Sequence, residues 1–251
     1  MAKQESFIKF RGKIGDISFY KDRNLGFQAR MKGGVDGDRV RTDPAFERTR
    51  ENMAEFGRAV RTGKMLRQQL NTVLFSFTDK TVANRLTSLI HRIQKADPDS
   101  PRGERTLLQE NAGMLRGFEF NRGVQLSTVY QNELVPTYDA INEVAILEVP
   151  AFNPQIALAS FPGATHVQFV LAAAELDLES DFPAKAEVVR SDYIPLIGQF
   201  SGETLEAPLS VSSDNSVYIL VGIAVFQEAN GQYYPLNNGE YNALTIAKVE
   251  S

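Results

Sequence analysis

The chain contains no cysteine and only two histidines, His91 and His166. Without thiols, disulfide bonds, thiolate nucleophiles and zinc sites built on cysteine are all excluded. The histidines form neither a His-x3-His nor a His-Glu-x2-His pattern, so the sequence carries no histidine metal motif. We therefore expect no metal site and no catalytic triad built on either histidine.

Long apolar runs are also absent. No run reaches the roughly 18 residues of a membrane-spanning helix, and the first ten residues, MAKQESFIKF, contain no apolar core of signal-peptide length. We therefore expect a cytoplasmic protein without a membrane partner.

Nucleotide and calcium motifs fail on their spacing. Gly12, Lys13 and Gly15 do not match the Gly-x4-Gly-Lys-Ser/Thr phosphate loop, and no Gly-x-Ser-x-Gly elbow occurs. An acidic cluster at Asp36 and Asp38 lacks the ligand pattern of an EF-hand loop. We expect no catalytic, metal-binding or cofactor-binding residue and no cofactor, and interpret the protein as a non-enzyme.

Charge is distributed unevenly along the chain. Residues 1–110 carry 22 Lys and Arg against 14 Asp and Glu, whereas residues 111–251 carry 5 against 17. Three interpretations stay open, and in the first two the basic part binds either nucleic acid or the acidic part of another copy. A plain difference in domain composition is the third.

Residues 1–110 are predicted to hold strands and then helices. Alternation in residues 7–31 indicates a hairpin with a loop near Asp22–Asn24. A long helix is predicted over residues 42–74, capped by Asp43, with Pro44 at its first position. Its apolar residues Phe46, Met53, Phe56 and Val60 share one face, and Gly63 marks a close helix approach or a break.

A second helix follows in the same region. Its predicted cap is Thr78, and its apolar stripe comprises Val82, Leu86, Leu89, Ile90 and Ile93. Because the connection is short, we expect the two helices to form an antiparallel hairpin.

The last 110 residues have the texture of a β-protein. Seven strand-like runs are separated by turn signals, with no helical pattern between them: EVAILEV, QIALASF, HVQFVLAAAELDL, AKAEVVRS, ETLEAPLSV, SVYILVGIAVFQ and NALTIAKVE. LNNGEYN is predicted to be a hairpin turn. We predict an α+β protein: a basic strand and helical-hairpin module at 1–110, a junction at 111–141 and an acidic, immunoglobulin-like antiparallel β-sandwich at 142–251.

Three stretches, GKIGDISFYK, GGVDGDRVRTDPAFERTRENMAEFGRA and GMLRGFEFN, carry a resemblance. The sequence resembles a family of Bacteroidota proteins with a domain of unknown function. The resemblance implies a bacterial, cytoplasmic protein in which a small helical and hairpin module is fused to a β-sandwich. It implies no activity and no catalytic residues.

Our hypothesis for function is self-assembly. Because Phe19 and Tyr20 are neighbours in a strand, they face opposite sides, and we expect one of them in the core and the other exposed or covered by a partner. We predict head-to-tail association of copies, the basic module of one against the acidic β-domain of the next. The alternative is a nucleic-acid-binding or other binding module that uses the basic half. The candidate self-association residues are Phe19, Tyr20, Phe27, Arg30, Arg39 and Arg41.

Overall fold

The computed structural model describes residues 2–31, 33–77, 79–176, 185–210 and 215–250. The chain divides into two compact units, Met1–Glu51 and Asn52–Ser251. The helices after residue 52 therefore belong to the same compact unit as the C-terminal strands. The boundary drawn at residue 110 from charge stays a prediction.

The first unit contains a four-stranded antiparallel sheet in the order β1-β4-β3-β2. Its strands are β1 Ala2–Lys3, β2 Gly12–Ile14, β3 Ile17–Asp22 and β4 Gly26–Met31. The predicted hairpin joins β3 to β4. Asp22 shapes its loop, because the carboxylate accepts hydrogen bonds from the backbone N–H of Asn24 at 2.8 Å and of Leu25 at 2.9 Å.

Two aspartates begin the helical part of the chain. Asp36 caps α1 (Gly37–Thr42) by accepting from the N–H of Asp38. Asp43 caps a 3₁₀ turn, Pro44–Phe46, by accepting from the N–H of Ala45 at 2.9 Å. This turn leads into α2 (Glu47–Gln69), so the predicted cap and the first-position proline are confirmed, although the first turn is 3₁₀ rather than α.

The predicted hairpin of helices is formed by α2 and α4 (Val82–Gln94), with the short α3 (Asn71–Leu74) between them. Gly63 marks a close approach and no break, because a Cβ there would lie 3.4 Å from both Ile90 and Thr87. Four residues of the α4 stripe are buried and Leu89 packs against the same core, as predicted. The predicted cap Thr78 lies outside the described residues.

The face expected of α2 needs correction. Met53, Phe56 and Val60 are exposed, and the buried face instead carries Ala59, Gly63, Leu66 and the carboxylate of Glu55. Glu55 is accommodated because it accepts a 2.8 Å hydrogen bond from the N–H of Gly103, in the loop that follows α4.

Two antiparallel sheets make up most of the rest of the second unit. A 3₁₀ turn, Gln109–Leu115, and two single-turn helices, α5 (Leu126–Val129) and α6 (Pro154–Ala157), lie among the strands. The strands are β5 Thr137–Asp139, β6 Val144–Val149, β7 His166–Leu176, β8 Lys185–Arg190, β9 Ile194–Pro195, β10 Glu203–Pro208, β11 Ser216–Ala229, β12 Gln232–Pro235 and β13 Ala243–Glu250.

The three-stranded sheet has the order β10-β6-β5, and the six-stranded sheet is built on the long pair β7 and β11. Strands β12 and β13 both pair with β11, and β8 and β9 both pair with β7. Strands β12 and β13 therefore lie end to end along one edge of β11. Strands β8 and β9 lie end to end along one edge of β7. The result is a curled antiparallel sheet in a fold that mixes helix and strand.

Alternate residues of β7 and β11 enter two different cores. Val170, Ala172, Tyr218 and Leu220 pack with the helices, whereas neighbouring residues such as Phe169 pack with the three-stranded sheet. Burial on both faces explains why both strands are almost continuously apolar. Within the described ranges, no helix is long and apolar enough to cross a bilayer.

Two predictions in the C-terminal half are wrong. QIALASF contains no strand: Asn153 accepts from the N–H of Gln155 at 3.0 Å, Pro154 follows at the first helical position, and α6 forms. LNNGEYN does not make a hairpin, because β12 and β13 pair with β11 and not with each other. The hairpin turn of this region is Asn230–Gly231, where both residues have positive φ and connect β11 to β12.

Candidate functional site

The sheet of the first unit has one apolar side and one polar side. Residues directly opposite in an antiparallel pair share a side, and the register matches Ile17 with Ile14 and Met31, Phe19 with Ala29, and Lys21 with Phe27. We call this side the apolar face: Ile14, Ile17, Phe19, Phe27, Ala29 and Met31. The opposite, polar face carries Lys13, Ser18, Tyr20, Gln28 and Arg30.

The predicted self-association residues fall into three groups. Phe19 and Phe27 lie on the apolar face, and Tyr20 and Arg30 lie on the polar face, with the Arg30 guanidinium 5.5 Å from the centre of the Tyr20 ring. Arg39 and Arg41 are in α1, where each forms a local ion pair, with Asp43 and Asp38. The structure therefore unites the two phenylalanines on one surface but not all six residues.

The first unit has no apolar core in its described residues. Of residues 2–31 and 33–51, only Gln28 is buried. Phe7 is 94% exposed and Met31 is 74% exposed, and Ile14 and Ile17 are exposed as well. Because burial of apolar area is the main favourable term in folding, a sheet with this surface gains more from a partner than from its own interior.

Cations border the apolar face. The side chains of Arg11 and Lys21 each lie 5.7 Å from the centre of the Phe27 ring. Residues 1–51 carry 12 Lys and Arg against 8 Asp and Glu, so this unit has a net positive charge. The surface is thus apolar at its centre and positive at its border.

The second unit contains a cleft that sequence reasoning missed. Its volume is about 660 Å³. One wall is the outer face of α4, and the other is the segment 114–122. We call it the arginine cleft, and its lining residues are Thr81, Asn84, Arg85, Ser88, Leu89, Arg92, Met114, Arg116, Gly117, Phe118, Glu119 and Arg122.

Backbone pairing to the last strand holds the second wall. Gly117 donates to the carbonyl of Ile246 at 2.8 Å, Ile246 donates back to Phe118 at 3.2 Å, and Phe120 donates to Leu244 at 2.9 Å. The segment therefore adds a short extension to the edge of β13. Alternation along it buries Phe118 and Phe120 and leaves Glu119 between them on the other side.

Arg85 connects the two walls. Its guanidinium donates to the carbonyls of Glu119 at 2.6 Å and Phe120 at 2.9 Å, and to the carboxylate of Asp79 at 2.9 Å. It also lies 5.1 Å from the centre of the Phe118 ring. Because Arg85 belongs to α4 and binds the carbonyls of Glu119 and Phe120, it holds the two walls of the cleft together.

Asp79 is the anionic counterpart of Arg85. It accepts from the N–H groups of Thr81 and Arg122, both at 2.6 Å. Burial acts to raise the pKa of Asp79, but these hydrogen bonds, one from the Thr81 hydroxyl and the charge of Arg85 outweigh it and lower the pKa to about 2. Asp79 is therefore ionised at neutral pH and joins the start of α4 to the segment 119–122.

Glu119 has the opposite electrostatics. Burial raises its pKa to about 7, against the hydrogen bond from the N–H of Leu126 and the charge of Arg85. Its Oε2 atom is buried and has no hydrogen-bond partner among the described residues. A carboxyl group of this kind is largely protonated below pH 7.

The two histidines make different contacts. His91 packs edge-on against Phe56, with ring centres 5.9 Å apart, and the Nδ1 atom of His166 lies 2.9 Å from the Thr165 hydroxyl. In the described part of the chain, no group of three or more His, Asp or Glu side chains is arranged to hold a metal ion.

The sequence held one signal for the arginine cleft. After residue 110 only five Lys and Arg occur, and two of them, Arg116 and Arg122, are six residues apart. Their meeting with α4 depends on pairing with β13, more than 120 residues later in the chain, and no local pattern predicts it. No protein family, curated protein or solved structure matches the chain.

Proposed function

We propose that this chain is a non-catalytic structural protein that assembles with other copies of itself, using the apolar face of its first unit. The observation that carries the proposal is the lack of a buried apolar side chain in residues 2–31 and 33–51. Burying one large apolar side chain contributes about 1.5–3 kcal/mol. A contact that covers three or four exposed side chains of this face therefore contributes on the order of 5–12 kcal/mol, which is comparable with the cost of bringing two chains together.

The acidic β-half of a second copy is the proposed partner surface. Residues 111–251 carry 17 Asp and Glu against 5 Lys and Arg, whereas the apolar face is bordered by Arg11 and Lys21. Exposed ion pairs contribute only about 0–1 kcal/mol each. Charge in this contact sets orientation and the rate of encounter, and apolar burial supplies the affinity.

Unlike surfaces on the two partners make the contact heterologous. Such contacts generate rings when the rotation closes and filaments when it does not. The short edge strands add to this. β1 covers only Gln28 and Ala29 of β4 by strand pairing, and the outer edge of β2 has no strand partner in the described residues. Open edges of this kind accept a strand from a neighbouring chain.

Two neighbouring residues of β3 provide a matched test. Ile17 is on the apolar face opposite Met31, and Ser18 is on the polar face opposite Arg30. Ile17→Glu and Ser18→Glu add the same charge to the same strand. Sedimentation velocity over a range of concentrations is expected to show association of the wild type and of Ser18→Glu, and its loss in Ile17→Glu. A wild type that stays monomeric at high micromolar concentration contradicts the proposal, as does equal weakening by both variants.

Nucleic-acid binding is the second candidate, and the polar face favours it. Lys13 and Arg30 lie there with the aromatic ring of Tyr20, a combination that single-stranded nucleic acid uses through phosphate contacts and base stacking. Binding of a fluorescent single-stranded oligonucleotide, measured at two salt concentrations, decides the point. A steep fall in affinity with salt that Arg30→Gln reduces identifies this function instead.

We also propose an immunoglobulin-like fold for the C-terminal half, a cytoplasmic location and membership of a Bacteroidota family. The immunoglobulin-like assignment of the C-terminal half is supported by two antiparallel sheets that share one apolar core. The cytoplasmic location and the membership of a Bacteroidota family are supported by the sequence features given above.

A further inference from the structure

The arginine cleft is lined by positively charged side chains, although the second unit as a whole is acidic. Residues 52–251 carry 15 Lys and Arg against 23 Asp and Glu, so the unit is acidic. Three arginines of the cleft, Arg92, Arg116 and Arg122, nevertheless form no ion pair or side-chain hydrogen bond with the described residues. Like charges kept together without partners favour an anion that neutralises them.

The lining of the cleft also has an apolar part. Phe118 is buried, and Leu89 and Met114 lie on opposite walls, one on α4 and one at the end of the 3₁₀ turn. Asn84 and Ser88 add hydrogen-bonding groups from α4. A cavity of about 660 Å³ is several times larger than an inorganic ion and falls within the range of about 300–1,000 Å³ that holds small organic ligands.

Glu119 does not oppose an anion at neutral pH or below. Burial raises its pKa to about 7, so that in this range much of the carboxyl group is uncharged. Arg85 is neutralised by Asp79 at 2.9 Å and belongs to the walls. The charge available to a ligand is therefore that of the three unpaired arginines.

We propose that the arginine cleft binds a phosphomonoester of a small organic molecule, whose phosphoryl group is attracted by the positive charges of Arg92, Arg116 and Arg122 that line the cleft, and whose apolar body contacts Leu89, Met114 and Phe118. Arginine is suited to this group because its planar guanidinium donates two parallel hydrogen bonds to phosphate oxygens. Three cations match a dianion better than the single charge of a carboxylate. This site is independent of the apolar face and of self-association.

Phenyl phosphate is the probe, and NMR titration of the full-length protein is the measurement. A probe of this size is expected to bind one site with a dissociation constant of about 1 mM. Inorganic phosphate leaves the apolar part of the cleft unfilled, and benzoate carries one charge. Both are expected to bind at least about tenfold more weakly, a difference of about 1.4 kcal/mol.

Arg116→Gln and Arg122→Gln are expected to weaken phenyl phosphate binding about tenfold or more, since each removes a charge-assisted hydrogen bond. Both side chains are exposed, so these variants keep the fold. Arg61→Gln is the matched control, because Arg61 is exposed on α2 and outside the cleft. Unchanged binding by the control supports the proposal.

Three results overturn it. The first is no saturable binding of phenyl phosphate. The second is equal weakening by Arg61→Gln and Arg116→Gln, which means attraction to overall charge. The third is tighter binding of benzoate than of phenyl phosphate, which makes the cleft a carboxylate site.

Discussion

The backbone N–H of Arg122 donates a 2.6 Å hydrogen bond to the carboxylate of Asp79, 43 residues earlier in the chain. The same carboxylate binds Thr81 and Arg85. One side chain therefore holds together the start of α4, its second turn and the far wall of the arginine cleft. Its removal tests how much of the second unit depends on this junction.

Asp79→Asn is expected to destabilise the protein by about 1–3 kcal/mol at pH 7, because hydrogen-bond donors and the Arg85 charge lose their anionic partner. The pKa of Asp79 is lowered from 3.8 to about 2. Its contribution is thus present above pH 3.8 and is lost as pH falls toward 2. Urea unfolding at pH 7 and pH 2 is expected to show a difference between variant and wild type that shrinks at pH 2.

Asp99→Asn is the control for this change, since Asp99 is exposed in the same unit. It is expected to shift stability by less than about 0.5 kcal/mol. Equal effects of the two substitutions would mean that the junction at Asp79 contributes nothing particular.

Glu119 is expected to make stability fall as pH rises. Burial raises its pKa from 4.5 to about 7, so the folded chain holds the proton more tightly than the unfolded chain. This contribution is fully present below pH 4.5 and is lost as pH rises through about 7. Glu119→Gln is expected to flatten the decline in urea midpoint between pH 5 and pH 8, whereas Glu110→Gln, on an exposed side chain, leaves it unchanged. An unaltered decline in Glu119→Gln contradicts the assignment.

Two glycines are expected to respond oppositely to a methyl group. Gly57, in α2, has no neighbouring atom within 4 Å of an added Cβ, so Gly57→Ala is expected to stabilise the helix by about 1 kcal/mol. At Gly222, in β11, the Cβ would lie 2.7 Å from the Ala243 carbonyl oxygen and 2.8 Å from Leu244. Gly222→Ala is therefore expected to cost about 1–3 kcal/mol through overpacking. Thermal unfolding of both variants tests this expectation. A shift of the melting temperature in the same direction for both variants would contradict it.

Deletion of residues 1–31 is expected to leave a folded second unit that no longer associates. Both apolar cores lie within residues 59–246, so the deletion removes no member of either. Raising the salt from about 0.15 M to about 1 M shortens the Debye length from about 8 Å to about 3 Å, and is expected to weaken association of the full-length chain only in part. Sedimentation velocity measures both effects, and association that survives the deletion places the contact elsewhere.

Local sequence patterns predicted a helix and its buried face correctly where the apolar stripe is the side that packs in the core. The stripe from Val82 to Ile93 predicted α4 because the helix buries that stripe in a core. In α2 the same argument selected Met53, Phe56 and Val60, which are exposed. The buried face of that helix includes Glu55, whose partner Gly103 lies 48 residues later. A carboxylate is buried only where a donor meets it, and sequence periodicity does not show the donor.

In the candidate sites, too, local sequence patterns predicted some features and not others. Alternation in β3 is enough to place Phe19 and Tyr20 on opposite faces, and the register confirms it. The split between Phe27 and Arg30 also follows from alternation once the hairpin loop is placed. The ion pairs of Arg39 with Asp43 and of Arg41 with Asp38 follow from i,i+4 and i,i+3 spacing once α1 is known. The arginine cleft depends on contacts between segments that are distant in sequence.

The end-to-end placement of β12 and β13 has a consequence for synthesis. The side chain of Asn242, between these strands, donates to the carbonyl of Ser76, 166 residues earlier, and Asn121 donates to the carbonyl of Asn242. The hydrogen bonds of Ser76, of the segment 117–120 and of β11 with residues 242–246 therefore form only after this later part of the chain has been synthesised. Contacts of such long sequence separation form slowly. Strand pairing within residues 2–31 joins only segments that are close in sequence, so we expect the apolar face to be exposed on the nascent chain before the second unit is complete.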